Sequence, residues 1–167
     1  MNLLPNSNYR GFFRTTATPA ILLILVGSLV ADDKSPGQIL GGKPAITASG
    51  SARYYDGQGR YAGQSSTTGS TTRVYDSQGR ATRKVEASGS ETRVYNRNGS
   101  YAGRSTQSGR DTRFFDRKGA FSGHSTTSAN ITRFYDNHGA YSGKAETSGG
   151  TTRYYDASGR YVGRRTK

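Results

Sequence analysis

The chain has 167 residues, with 24 Lys and Arg against 11 Asp and Glu and a formal net charge of +13, a balance that points to anionic molecules or surfaces as partners. Leucine stops at Leu40, and beyond it the only large aliphatics are Ile46, Val74, Val85, Val94, Ile131 and Val162, which excludes an ordinary aliphatic core after residue 50. Cysteine is absent, so disulfide frameworks and thiolate metal sites are excluded as well.

In chain order, the first segment reads as targeting. Arg10 and Arg14 precede the uncharged run AILLILVGSLVA at 20–31, and Asp32 and Asp33 follow it. At about 1.5 Å per residue this run reaches roughly 18 Å, short of the ~30 Å hydrocarbon core that a spanning helix crosses. Residues 1–31 are therefore expected to be a secretory signal peptide, with an uncleaved signal anchor as the alternative and the one expected attachment to a membrane. The expected location is secreted, periplasmic or cell-surface. Residues 32–50, DDKSPGQILGGKPAITASG, read as a linker, because Pro36, Pro44 and the glycines interrupt continuous structure.

From residue 51 to 167 the sequence repeats with a period of twenty. Arg53, Arg73, Arg93, Arg113, Arg133 and Arg153 recur without exception. Two residues on stand Tyr55, Tyr75, Tyr95, Phe115, Tyr135 and Tyr155, followed by Asp56, Asp76, Asn96, Asp116, Asp136 and Asp156, and then by Gly59, Gly79, Gly99, Gly119, Gly139 and Gly159. Eleven of the twelve tyrosines and four of the six phenylalanines lie between Tyr54 and Tyr161, so what can be buried is aromatic. A disordered tract would not hold rings at fixed phase, and the periodicity argues for a repeat fold.

The chemistry of one copy specifies a hairpin. Asp-x-x-Gly suits a type I turn followed by a glycine of positive φ, with the aspartate bonding to its own backbone. On that geometry Asp56 pairs with Arg60, Tyr55 with Tyr61, Tyr54 with Ala62 and Arg53 with Gly63. Alternation then places Arg53, Tyr55, Tyr61 and Gly63 on one face, and Ala52, Tyr54, Asp56, Arg60 and Ala62 on the other. A second turn around Gly89, Gly109, Ala129 and Gly149 returns the chain to the next arginine. The second copy departs, with Ala81 for the aromatic and Arg83 for the glycine, and is expected to be a weak repeat and a bend. The expected fold is all-β: tandem hairpins in a continuous antiparallel meander or shallow solenoid of about twelve strands, each stabilised only by its neighbours.

The stretches RYYDGQGR, RVYDSQGR and RYYDASGR resemble the tyrosine-aspartate (YD) repeats of the Rhs, teneurin and insecticidal-toxin shell proteins, over residues 51–165. That family follows Gly-Arg with leucine, where this chain has Tyr61, Ala81 and Tyr161. The resemblance implies a coiled β-hairpin strip on a secreted or surface protein.

No converging acid, base or nucleophile stands out, and the expected function is non-enzymatic, with no cofactor. His124 and His138 occupy different phases of the repeat and read as surface side chains. The aspartate series offers one carboxylate per copy beside an arginine, whereas calcium takes six to eight oxygens, so turn capping is the reading for Asp56, Asp76, Asn96, Asp116, Asp136 and Asp156 and no metal is expected. Binding rests on the arginine row. Successive copies lie two strand spacings apart, about 9.6 Å, so Arg53 to Arg153, interleaved with Tyr55, Tyr75, Tyr95, Tyr135 and Tyr155, form a line suited to acidic polysaccharide, lipopolysaccharide or nucleic acid. The competing use of those arginines is structural, with stems packed and heads over tyrosine rings. The remaining cations, among them Arg60, Arg80, Lys84, Arg104, Lys144 and Arg164, read as a solvated face that discourages aggregation. The alternative function is a filament-forming structural protein, a homopolymer joined through open strand edges.

Overall fold

The computed structural model describes residues 49–167, and the proposed signal segment and most of the linker lie outside them. Twelve antiparallel strands follow one another: β1 (Ser49–Asp56), β2 (Tyr61–Thr68), β3 (Thr71–Asp76), β4 (Ala81–Ser88), β5 (Glu91–Asn96), β6 (Tyr101–Ser108), β7 (Asp111–Asp116), β8 (Phe121–Ser128), β9 (Ile131–Asp136), β10 (Tyr141–Ser148), β11 (Thr151–Asp156) and β12 (Tyr161–Thr166). Each pairs with its sequence neighbours, and β12 pairs back onto β1, from Arg53 opposite Thr166 to Asp56 opposite Gly163. The sheet is therefore a closed barrel, and the open meander or solenoid is corrected.

Register explains the closure. Ser51 opposes Ser66, and Ser66 opposes Arg73, so a row across the strands climbs two residues for each twenty-residue copy. That stagger tilts the strands as a closing sheet requires. Copies of one length, with one bulge each, repeat the same twist until the first and last strands meet. The second copy does not bend the sheet: β4 has the length and bulge position of its counterparts.

The two rims differ. At one, the Asp-x-x-Gly turns join odd strands to even ones, and at the other, two-residue turns join even strands to odd ones. The second kind begins on a residue of positive φ, 57° at Gly89, 59° at Gly109 and 51° at Ala129. Such turns match the twist of the flanking strands.

The interior holds the face carrying Ala52 and Tyr54. Tyr54, Val94, Phe114, Phe134 and Tyr154 are buried, with Ala52, Thr72, Thr92 and Thr152 beside them and Ser65, Val85, Ser125, Ala145 and Arg165 on the even strands. Phe114, Phe134, Ala145 and Tyr154 pack with Val162, and Val85 and Val94 pack with Ala102. Several polar groups here are bonded across strands, as burial favours. Tyr54 donates to Ser65 Oγ at 3.0 Å, and threonine hydroxyls meet at Thr67–Thr72, Thr127–Thr132 and Thr147–Thr152, 2.9 to 3.0 Å apart. Burial raises the pKa of the Tyr54 hydroxyl and lowers that of the Arg83 guanidinium, each by disfavouring the charged form.

Candidate functional site

The outer wall is built from the hairpin register, which differs from the expected one below the turn. Tyr55 opposes Tyr61, but Tyr54 opposes Gly63 and Arg53 opposes Gln64, so Ala62 is the extra residue of a bulge. The same shift recurs in the five later hairpins. Arg53 therefore does not lie over Gly63. That glycine has φ 145°, and a Cβ on it would run into the carbonyl oxygen of Tyr75 on the adjoining strand. Its role is to let two backbones meet at the bulge.

Five of the six copies place one ring pair on this wall. Tyr55–Tyr61, Tyr95–Tyr101, Phe115–Phe121, Tyr135–Tyr141 and Tyr155–Tyr161 meet edge to face at 6.0 to 6.2 Å. The first ring of each pair is half-buried, and Tyr61, Phe121 and Tyr141 are about 40% exposed. Tyr75 has Ala81 opposite it and no ring partner.

The cations stacked on these rings are not the constant arginines. Lys84 lies over Tyr95 at 4.7 Å, Arg104 over Phe115 at 4.5 Å, Lys144 over Tyr155 at 5.1 Å and Arg164 over Tyr55 at 4.5 Å. His124 holds the same place, parallel to Tyr135 at 4.8 Å and to Phe121 at 6.4 Å, so it is part of a stack and not an isolated surface histidine. Ring, ring and cation alternate around the barrel from Lys84 to Gln64, with a gap at Tyr75 and Ala81. The signal in the sequence was the run of Lys84, Arg104, Lys144 and Arg164 at one phase of the repeat. Without the register, those residues read as part of a solvated face. Arg164 and Tyr55 become neighbours only through closure.

All six constant arginines, Arg53, Arg73, Arg93, Arg113, Arg133 and Arg153, are exposed on the wall. Among the described residues only Arg93 of the six has a side-chain partner, the Glu91 carboxylate at 2.7 Å, which raises the guanidinium pKa by its charge. Directly across the strands, Arg73 faces Lys84, Arg93 faces Arg104, Arg133 faces Lys144 and Arg153 faces Arg164. Like charges in such positions destabilise a sheet. Lys84 is offset by Glu86 at 2.9 Å and Lys144 by Glu146 at 2.7 Å. These pairs lower the pKa of Glu86 and raise that of Lys144, mainly through the ionic hydrogen bond.

The turn aspartates cap as their chemistry requires. Asp56 Oδ1 accepts from the amides of Gln58 and Arg60 at 3.0 and 2.9 Å, and its Oδ2 accepts from Arg60 Nε at 2.7 Å. Asp76, Asp116, Asp136 and Asp156 receive the equivalent amides. Asn96 does not. At its turn Asn98 Oδ1 takes the amide of Ser100, at 3.1 Å. Among the described residues no three His, Asp or Glu side chains gather as a metal site would need.

No family model matches the chain, and no curated protein matches it. The resemblance to tyrosine-aspartate repeats therefore rests on the motif residues alone.

Proposed function

We propose that this chain is a secreted or surface, non-enzymatic protein that binds anionic polymers on the outer wall of its barrel. The observation that carries this reading is the state of the constant arginines. This side chain is kept in six copies out of six, is exposed in all of them, and in five has no side-chain hydrogen bond, ion pair or ring contact among the described residues, which favours a task other than packing. In four of the six copies it sets like charges against each other across strands, an arrangement that an anion relieves. Net charge supports the same reading, with 20 Lys and Arg against 9 Asp and Glu in residues 49–167. The exposed arginines also place charge at the wall where a membrane barrel carries an apolar band.

Assembly through open strand edges, the competing reading, needs the β1–β12 ladder to open first, since closure leaves no free edge.

The test is a titration of the full chain with acidic polysaccharide, lipopolysaccharide and single-stranded DNA across a salt series. Engagement of several arginines is expected to weaken binding about a hundredfold between ~50 and ~200 mM salt. Salt-independent binding, or none to any of the three, refutes the reading.

A further inference from the structure

Glu91 shows how the wall holds a carboxylate. Its Oε1 accepts from Arg93 Nε at 2.7 Å, and its Oε2 accepts from Arg104 Nη1 at 3.3 Å. One carboxylate thus bridges two guanidinium groups that face each other on β5 and β6. The same cross-strand pair exists at Arg153 and Arg164 on β11 and β12. There the position of Glu91 is taken by Thr151, and no carboxylate bridges the two guanidinium groups. Glu146 lies across from Arg153 on β10 but is bonded to Lys144 at 2.7 Å. The pairs Arg73/Lys84 and Arg133/Lys144 differ, because each lysine already has its own glutamate.

The geometry points to Arg153 and Arg164 as a carboxylate clamp for an acidic polysaccharide, with Glu91 occupying the equivalent clamp at Arg93 and Arg104 from within the chain. This rests on the reading of the wall as a surface for anionic polymers and names the ligand class within it. Two features favour a carboxylated sugar over a nucleic acid. The anion that the chain itself places in such a clamp is a carboxylate, whose two oxygens match two guanidinium donors. The rings beside the clamps also have faces already covered. Arg164 lies over Tyr55 at 4.5 Å, and Tyr155 carries Lys144 at 5.1 Å. A base stacks on an open ring face, which Tyr55 and Tyr155 offer less of once these cations lie over them. Exposed constant arginines recur around the wall beside the rings, so further sugars of a polymer held at the clamp meet neighbouring copies and gain from multivalency.

The test uses the full chain, polygalacturonate as the probe, its methyl ester as the uncharged control and oligo(dT) as the phosphate polymer. Arg153→Gln and Arg53→Gln each remove one exposed positive charge and no internal bond, but Arg53 faces Gln64 and belongs to no clamp. Arg153→Gln is expected to lower affinity for polygalacturonate about tenfold, as loss of a charge-assisted contact does. Arg53→Gln is expected to lower it only about twofold, as loss of one screened charge does. Glu91→Thr, which opens the second clamp, is expected to tighten binding about twofold or more. Equal losses in the two arginine variants, no gain in Glu91→Thr, or tighter binding of oligo(dT) than of polygalacturonate overturn the clamp and leave the anionic-polymer reading standing. Absence of binding to any polyanion overturns both.

Discussion

At the scale of single residues, the turns carry consequences that differ between copies of one motif. Asp56, Asp76, Asp136 and Asp156 each have a carboxyl pKa held below the usual value. The leading causes are the side-chain bond from Arg60 at Asp56, the amide of Arg80 at Asp76, the amide of Ala140 at Asp136 and the Ser158 hydroxyl at Asp156. A lowered carboxylate pKa contributes stability that is present above the unfolded value and lost as pH falls through the folded one. Thermal melts are therefore expected to hold a constant midpoint from neutral pH to about 4 and to fall steadily below it. Asn96 lacks the capping bonds of its aspartate counterparts, so Asn96→Asp is expected to raise stability by roughly 0.5 to 1 kcal/mol in denaturant titration. Ala129 is the one non-glycine with positive φ among the described residues, at 51°. Ala129→Gly is expected to gain about 1 kcal/mol, because the left-handed region costs an L-residue roughly that amount. Much at this scale was legible in advance. Turn chemistry acts between residues four apart, and the positions of Asp56 and Gly59 sufficed to place the turn. The switch from Asn96 to Asn98 was not legible, since either amide could serve.

The hairpin is the scale at which the sequence reading went astray. Pairing Tyr55 with Tyr61 was legible from the turn, but the pairing below it depended on whether a bulge intervened, and a slip of one residue moves every side chain beyond it. Gly63, Gly103, Gly123, Gly143 and Gly163 were the clue. They lie inside the even strands, at φ between 140° and 150°, with a neighbouring carbonyl where a Cβ would stand. Gly143→Ala is expected to destabilise the barrel by about 2 kcal/mol or more, as a forced backbone in a rarely populated region does. Gly50→Ala, which meets nothing within 4 Å, is expected to be nearly neutral; a pair of equal losses contradicts the bulge geometry. The shift also reassigns the cation–π role. Four residues at one phase, Lys84, Arg104, Lys144 and Arg164, cover the half-buried rings, each contact contributing on the order of 0.5 to 1 kcal/mol at such exposure, and five of the six constant arginines are left without a side-chain contact among the described residues.

At the scale of the whole molecule, closure decides which chemistry the wall can present. An open strip exposes two edges and both faces, whereas the barrel buries the Tyr54 face and turns the Arg53 face outward all the way round. Closure was not legible in the sequence. Repeat number and stagger must match for β12 to reach β1, and the stagger became visible only with the register of Ser51, Ser66 and Arg73. The full chain is expected to run as a monomer in size-exclusion chromatography with light scattering at both low and high salt; salt-resistant assemblies would favour opened strands and the filament reading. The central claim is that the constant arginines other than Arg93, which is paired with Glu91, serve binding and not folding. Its most direct test is one variant with Arg53, Arg73, Arg113, Arg133 and Arg153 all changed to Gln, measured for thermal midpoint and for affinity to polygalacturonate. The expected result is a midpoint equal to or above that of the parent, because like-charge pairs are relieved, together with loss of polymer binding. A lowered midpoint with binding retained would contradict the account and return the arginines to the fold.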